Sequence, residues 1–127
     1  MTRSISENKA TEGPHKPPVP GGVWSAAPTP LTDDMRVHVD DVRRMIDHHE
    51  RLGVNGLFLA GTNGEGPWLP EREKRILVET VVRHVDGYIP VAVQVTDNST
   101  DRILDNHPRG GGGRGRYRGH RAADVFL

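Results

Sequence analysis

The sequence predicts an α/β protein whose strands lie parallel in a sheet or barrel, and three observations carry that expectation. Short apolar runs at Val23 to Ala27, Val54 to Ala60 and Ile89 to Val95 alternate with two stretches of helical periodicity. The connections between them are short, and the order strand, helix, strand, helix, strand is the grammar of parallel pairing. Leu57, Phe58, Leu59 and Ala60 are too few for a helix and too uniformly apolar for a half-solvated strand, so a strand covered on both faces is expected there.

Each element has its own justification. Residues Met1 to Pro20 are polar and then proline-rich (Pro14, Pro17, Pro18, Pro20), a composition that cannot offset its ordering entropy by burial, so a disordered leader is expected. Val23 to Ala27 follows Gly21 and Gly22 and is closed by Pro28-Thr29-Pro30, which bounds a first strand. Trp24 within it reads as a packing residue. Thr32-Asp33-Asp34 offers turn and cap chemistry before a helix from about His38 to Leu52. Val39, Val42, Met45, Ile46 and Leu52 form its apolar stripe, and Gly53 is placed to end it. His48, His49 and Glu50 do not make the His-Glu-x-x-His metal motif and read as part of a solvated face.

A second helix opens at Pro70. Glu71 and Glu73 complement its positive end, Arg83 and His84 its negative end, and Ile76, Leu77, Thr80, Val81 and Val85 its inner face. Asp86-Gly87 closes it before the third strand, which ends in Thr96-Asp97-Asn98-Ser99. A third helix begins near Thr100 with Ile103 and Leu104, and there the pattern stops.

Composition sets the outer limits. At 127 residues the chain suits one modest domain if all of it folds, but only 34% of it is apolar. Net charge is zero, so the chain as a whole makes no case for nucleic acid or a membrane surface. No apolar run approaches a membrane span and the first residues lack an apolar signal core, which makes the cytoplasm the default expectation. Without cysteine there is no thiolate nucleophile and no cysteine-based zinc site.

The segment with most chemical content is Gly56 to Gly66, Gly-Leu-Phe-Leu-Ala-Gly-Thr-Asn-Gly-Glu-Gly. An apolar strand here empties into a glycine-rich turn. Gly61, Gly64 and Gly66 allow close backbone approach, and the N–H groups around Thr62 and Asn63 are placed to face an anion such as a carboxylate or phosphate. An ordinary strand-to-helix turn without a ligand stays open beside that reading, because the spacing is neither Gly-x-Gly-x-x-Gly nor a P-loop.

From His107 to Arg121 the chain becomes rich in Gly and Arg, with nothing that extends a helix or builds a strand. It reads as an Arg-Gly segment contacting RNA, as a flexible linker, or as a shifted reading frame. The last is preferred. In GC-rich codons a one-nucleotide shift turns His CAY followed by C into Ile or Thr, and Arg or Gly codons followed by G into Ala, Gly, Glu or Val. The shifted text from His107 includes Ile-Arg-Ala-Ala-Ala-Glu-Ala-Gly-Ala-Asp-Ile-Ala-Val-Ile-Ala-Pro-Pro, which completes the interrupted helix and supplies a fourth strand.

Read jointly and in order, the motifs resemble a known family. Thr29-Pro30, Asp33 or Asp34, Val39-Asp40, Leu52-Gly53-Val54-Asn55-Gly56-Leu57, Gly61-Thr62-Asn63-Gly64-Glu65, Leu69, Glu73-Lys74 and Ile89-Pro90-Val91 are similar to the N-terminal third of the dihydrodipicolinate synthase and N-acetylneuraminate lyase family. The resemblance covers Gly22 to Asn106 and implies the N-terminal portion of a (β/α)8 TIM barrel, about three βα units, between disordered tails. It also implies a class I aldolase chemistry in which a strand-six lysine forms an imine with pyruvate or another 2-oxo acid and a tyrosine after strand five relays protons. No cofactor or metal is implied, and the family is commonly homotetrameric. By this resemblance the loop from Gly61 to Gly64 holds the substrate carboxylate, with Thr62 binding through its hydroxyl and backbone N–H. Asn63 stands where the family's second hydroxyl joins the tyrosine relay, and an amide does not pass a proton as a hydroxyl does.

The resemblance also implies what this chain lacks. A barrel of this type needs on the order of 250 residues. Lys74 lies in a charged helix where its ammonium stays hydrated, and neither Tyr88 nor Tyr117 matches the catalytic tyrosine. The expectation is a truncated, frame-shifted relative without lyase activity, whose strands lack their neighbours and do not fold cooperatively alone. A half-barrel completed by oligomerisation is the other way those strands find partners.

Overall fold

The structure is a computed structural model that describes residues 21–106 and 125–126. Its elements in chain order are β1 (Trp24–Ala26), α1 (Val39–Leu52), β2 (Gly56–Leu59), a 3-10 turn (Gly66–Trp68), α2 (Glu71–Val85), β3 (Val91–Val93), α3 (Thr100–Asn106) and β4 (Val125–Phe126). The strands form a single parallel sheet in the order β1-β2-β3-β4. This is the βα repeat expected from the sequence. The fourth strand is an addition, since no local signal in the chain beyond His107 announced one, and residues 107–124 lie outside the described set.

Hydrophobic burial explains where the helices sit. Leu57 and Leu59 of β2 and Val91 and Val93 of β3 are buried in one core with Val42 and Ile46 of α1 and Leu77, Val78, Val81, Val82 and Val85 of α2. These residues share one face of the sheet because side chains alternate along a strand. On the other face Phe58 is 36% exposed and Ala26 is open to solvent, so among the described residues β2 is covered on one side only. The two-sided cover expected from its composition is missing there.

The helix ends follow their capping chemistry with one change of actor. Thr32, Asp33 and Asp34 do not cap α1: Leu31 and Val37 pair as an antiparallel bridge, and the acidic residues turn the chain between them. Thr32 Oγ1 donates to the Asp34 carboxylate, which holds that carboxyl below the ordinary aspartate value. The cap is His38, whose Nδ1 accepts the Asp41 N–H at 3.3 Å. Gly53 ends α1 in the left-handed region at φ 72°, as its position suggested.

Two residues of α1 exchange the roles that polarity assigned them. His49 is buried rather than solvated, its Nδ1 lying 2.7 Å from the Met45 carbonyl oxygen, while Leu52 is 64% exposed. His49 falls seven positions after Val42, on the same stripe, and a hydrogen bond to the preceding turn satisfies its ring. Leu52 belongs to the last turn, where the chain is already leaving the core.

In α2 Pro70 stands just before the first helical residue, and Val78 and Val82 join the inner face. Glu73 is buried and its Oε2 accepts the Val37 N–H at 2.9 Å, fastening the Leu31–Val37 bridge to α2. His84 Nε2 and Asp47 Oδ1, 2.7 Å apart, tie α2 to α1 at the surface.

Urea unfolding at fixed protein concentration separates the two ends of the α1 stripe. Ile46→Ala, at a fully buried site, is expected to lose about 2–5 kcal/mol. Leu52→Ala is expected to stay within about 0.5 kcal/mol of the parent.

Candidate functional site: an anion cradle at the strand ends

The loop Gly61–Gly66 leaves the C-terminal end of β2, and the chain after β1 and after β3 arrives at the same rim. Two non-glycine residues in left-handed conformation bracket it, Ala60 at φ 53° and Glu65 at φ 57°. Such residues cost on the order of 1–2 kcal/mol each, so surrounding contacts must hold them. Within the loop, Glu65 N–H donates to Thr62 O at 3.1 Å and Gly66 N–H to Gly61 O at 3.0 Å. The turn is therefore closed by its own backbone, and Trp68 and Leu69 N–H groups both return to Glu65 O.

Neighbouring strands then clamp it. Thr29, buried in the loop after β1, donates its hydroxyl to Gly64 O at 2.6 Å. Asn63 Nδ2 donates to Ala26 O at 2.5 Å. A methyl group on Gly64 would stand 3.0 Å from Ala27 O and 3.1 Å from Ala60 N, and one on Gly66 would overlap the Ala60 carbonyl. Glycine at 64 and 66 is demanded by close packing rather than by φ.

What remains unpaired defines the site. The backbone N–H groups of Thr62, Asn63 and Gly64, and the Thr62 hydroxyl, have no acceptor or donor partner among the described residues. Thr62 and Asn63 are exposed while Gly61 and Gly64 are buried beneath them. Three consecutive donors without a partner among the described residues, two of them on exposed residues of a clamped turn, suit an anionic oxygen. The sequence reading grouped Gly61, Thr62, Asn63 and Gly64, and the structure holds all four in this turn. It missed the Thr29 hydroxyl as a clamp, for which a threonine directly after an apolar strand was the available signal.

Other candidates are placed elsewhere. Lys74 sits on α2, its Nζ 2.7 Å from Glu71 Oε1. Tyr88 precedes β3, at the opposite end of the sheet from the cradle, and is 87% exposed. Tyr117 lies outside the described residues. Among the described residues no group of three or more His, Cys, Asp or Glu is placed to hold a metal ion, and no helix is long and apolar enough to cross a membrane.

The same fold recurs in known proteins. The profile of the dihydrodipicolinate synthetase family matches residues 19–106. The chain belongs to this family. A 4-hydroxy-tetrahydrodipicolinate synthase of Salinibacter ruber is 39% identical over 83 residues, 65% of this chain and 28% of that protein. Among solved structures, the dihydrodipicolinate synthase of Thermotoga maritima superposes with a TM-score of 0.64 at 35% identity, over 67% of this chain and 28% of that one. YagE, a prophage protein of the dihydrodipicolinic acid synthase family from E. coli K12 solved with pyruvate, gives 0.64 at 25% identity over 67% of this chain and 28% of its own. The chain thus spans less than a third of the length of these relatives, and its sheet is the start of their barrel.

Two glycine substitutions test the packing argument. Gly66→Ala is expected to cost about 4 kcal/mol or more, because the Ala60 carbonyl cannot move without unwinding the loop. Gly53→Ala meets open space and carries only the left-handed φ, so about 1–2 kcal/mol is expected by the same denaturation measurement.

Proposed function

We propose that this chain carries the carboxylate-binding half of a 2-oxo acid lyase site, of the kind that condenses or cleaves pyruvate-like substrates through a lysine imine. The observation that carries the reading is the row of unpaired N–H groups at Thr62, Asn63 and Gly64, clamped on the rim of a family sheet. Thr62 adds its hydroxyl to the same anion. Asn63 acts as a positioning residue: its amide nitrogen is bonded to Ala26 O, and an amide passes no proton. The pyruvate-bound family neighbour supports a 2-oxo acid as the ligand class.

Chemistry at the bound carboxylate needs a nucleophilic amine, and among the described residues none lies near the cradle. Lys74, the lysine among the described residues, is engaged with Glu71 on α2, which supports a chain that binds the acid without the imine step. The change of composition after Asn106, to a run rich in Gly and Arg, supports a shifted reading frame as the reason. The match to the family profile stops at residue 106. Sequencing the encoding DNA downstream in all three frames tests this. A lysine-bearing barrel remainder in a neighbouring frame is expected, and its absence contradicts the account.

Borohydride reduction of the 127-residue chain with pyruvate is expected to leave its mass unchanged, and a covalent adduct refutes the inactivity. In calorimetric titration with pyruvate, Thr62→Val is expected to weaken binding about tenfold, the loss of roughly one hydrogen bond to a charged group. Equal affinity of parent and variant removes Thr62 from the cradle.

A further inference from the structure

The uncovered face of the sheet poses a question that the cradle does not answer. Register places Trp24 beside Gly56 in one row, and Ala26, Phe58, Ala92 and Phe126 in the next. Neither row contains a charged residue. The Trp24 ring lies over Gly56, where a side chain at 56 would collide with it, so the first row is already filled from within. In the second row Phe58 stands between the small residues Ala26 and Ala92. Parallel sheets are stable when both faces are covered, yet here the helices cover only the face of Leu57, Leu59, Val91 and Val93.

We propose that a second copy of this chain covers that face by closing an eight-stranded barrel with the first about a two-fold axis. The argument is one of polarity and number. Every neighbouring pair in the sheet is parallel and in chain order, from β1 to β4. A two-fold axis running along the strands preserves their direction, so it sets β4 beside the partner's β1 and β1 beside the partner's β4, each again parallel. Four strands become eight, the number at which a barrel interior is just filled by side chains. Closure also pairs the outer edges of β1 and β4, which have no strand beside them among the described residues, and a two-fold ends the assembly at two copies. The zero net charge of the chain opposes neither approach nor closure. Because the axis runs along the strands, both cradles emerge on one rim.

Alternate residues of β1 bond inward, since Asn55 N–H reaches Val23 O and Ala27 N–H reaches Phe58 O. The Ala26 N–H therefore faces away from β2, on the side where the partner strand would lie. Proline at 26 removes that donor while leaving the β1–β2 bonds intact, as edge strands allow.

Sedimentation equilibrium on the full 127-residue chain decides the matter. The expected species has twice the 14.0 kDa chain mass, with a single thermal transition whose midpoint rises with protein concentration. Phe58→Asp, on the apolar row, and Ala26→Pro, on the edge, are each expected to weaken dimerisation at least tenfold. Tyr88→Ser, exposed at the far end of the sheet, is expected to leave it unchanged. A parent chain that is monomeric or unfolded, or that forms an open-ended series of species, overturns the proposal. So does a dimer that persists undiminished in both Phe58→Asp and Ala26→Pro.

Discussion

The arrangement depends on one constraint: the loop after β2 must turn so tightly that the Ala60 carbonyl leaves no room for a side chain at 66 and the neighbouring strand crowds one at 64. That tightness requires the backbone to satisfy itself, which the Glu65-to-Thr62 and Gly66-to-Gly61 bonds do. It also needs an anchor outside the loop, and the Thr29 hydroxyl on Gly64 O provides it from a buried position. A hydrogen bond of this kind is worth about 1 kcal/mol net, but an unpaired buried carbonyl costs more than the bond returns. The clamp is thus favoured mainly because its loss would strand two buried polar groups. Once the carbonyls are engaged inward, the N–H groups of Thr62 to Gly64 remain for a ligand.

The sheet beneath that loop presents the ends of only its own strands among the described residues. In a parallel barrel the groups that react with a bound substrate come from the ends of several strands, and this chain brings three or four of them to the rim. The helices complete one layer of core around Leu57, Leu77, Val81 and Val91. Phe58 and Ala26, pointing the other way, are what a further set of strands would bury. The proposed ligand site and the proposed assembly therefore use different parts of the same strand: Leu59 is buried in the core, Phe58 faces the other way, and the turn that follows carries the N–H donors.

Much of this was legible in the amino-acid order because the relevant signals are local. Apolar runs closed by glycine and proline gave the strands, Gly53 and Asp86-Gly87 gave helix ends, and the glycine spacing from Gly61 to Gly66 marked the tight turn after β2. The misses share a physical cause, which is that polarity alone does not report position. His49 is polar but sits on the buried stripe and bonds the preceding turn, whereas Leu52 is apolar but lies past the last packed turn. Thr32 and Asp34 have cap chemistry, yet the Leu31–Val37 bridge uses them as a turn first. Phe58 looked like core because a two-sided sheet was assumed, and β4 is too short to leave a periodic trace.

Amide hydrogen exchange on the 127-residue chain, with and without saturating pyruvate, tests the central claim most directly. The account expects Thr62, Asn63 and Gly64 to exchange freely without ligand and to gain protection together when pyruvate is present, with the Glu65 and Gly66 amides already slow. Protection of these three amides in the free chain, or pyruvate protection confined to other segments, would contradict it.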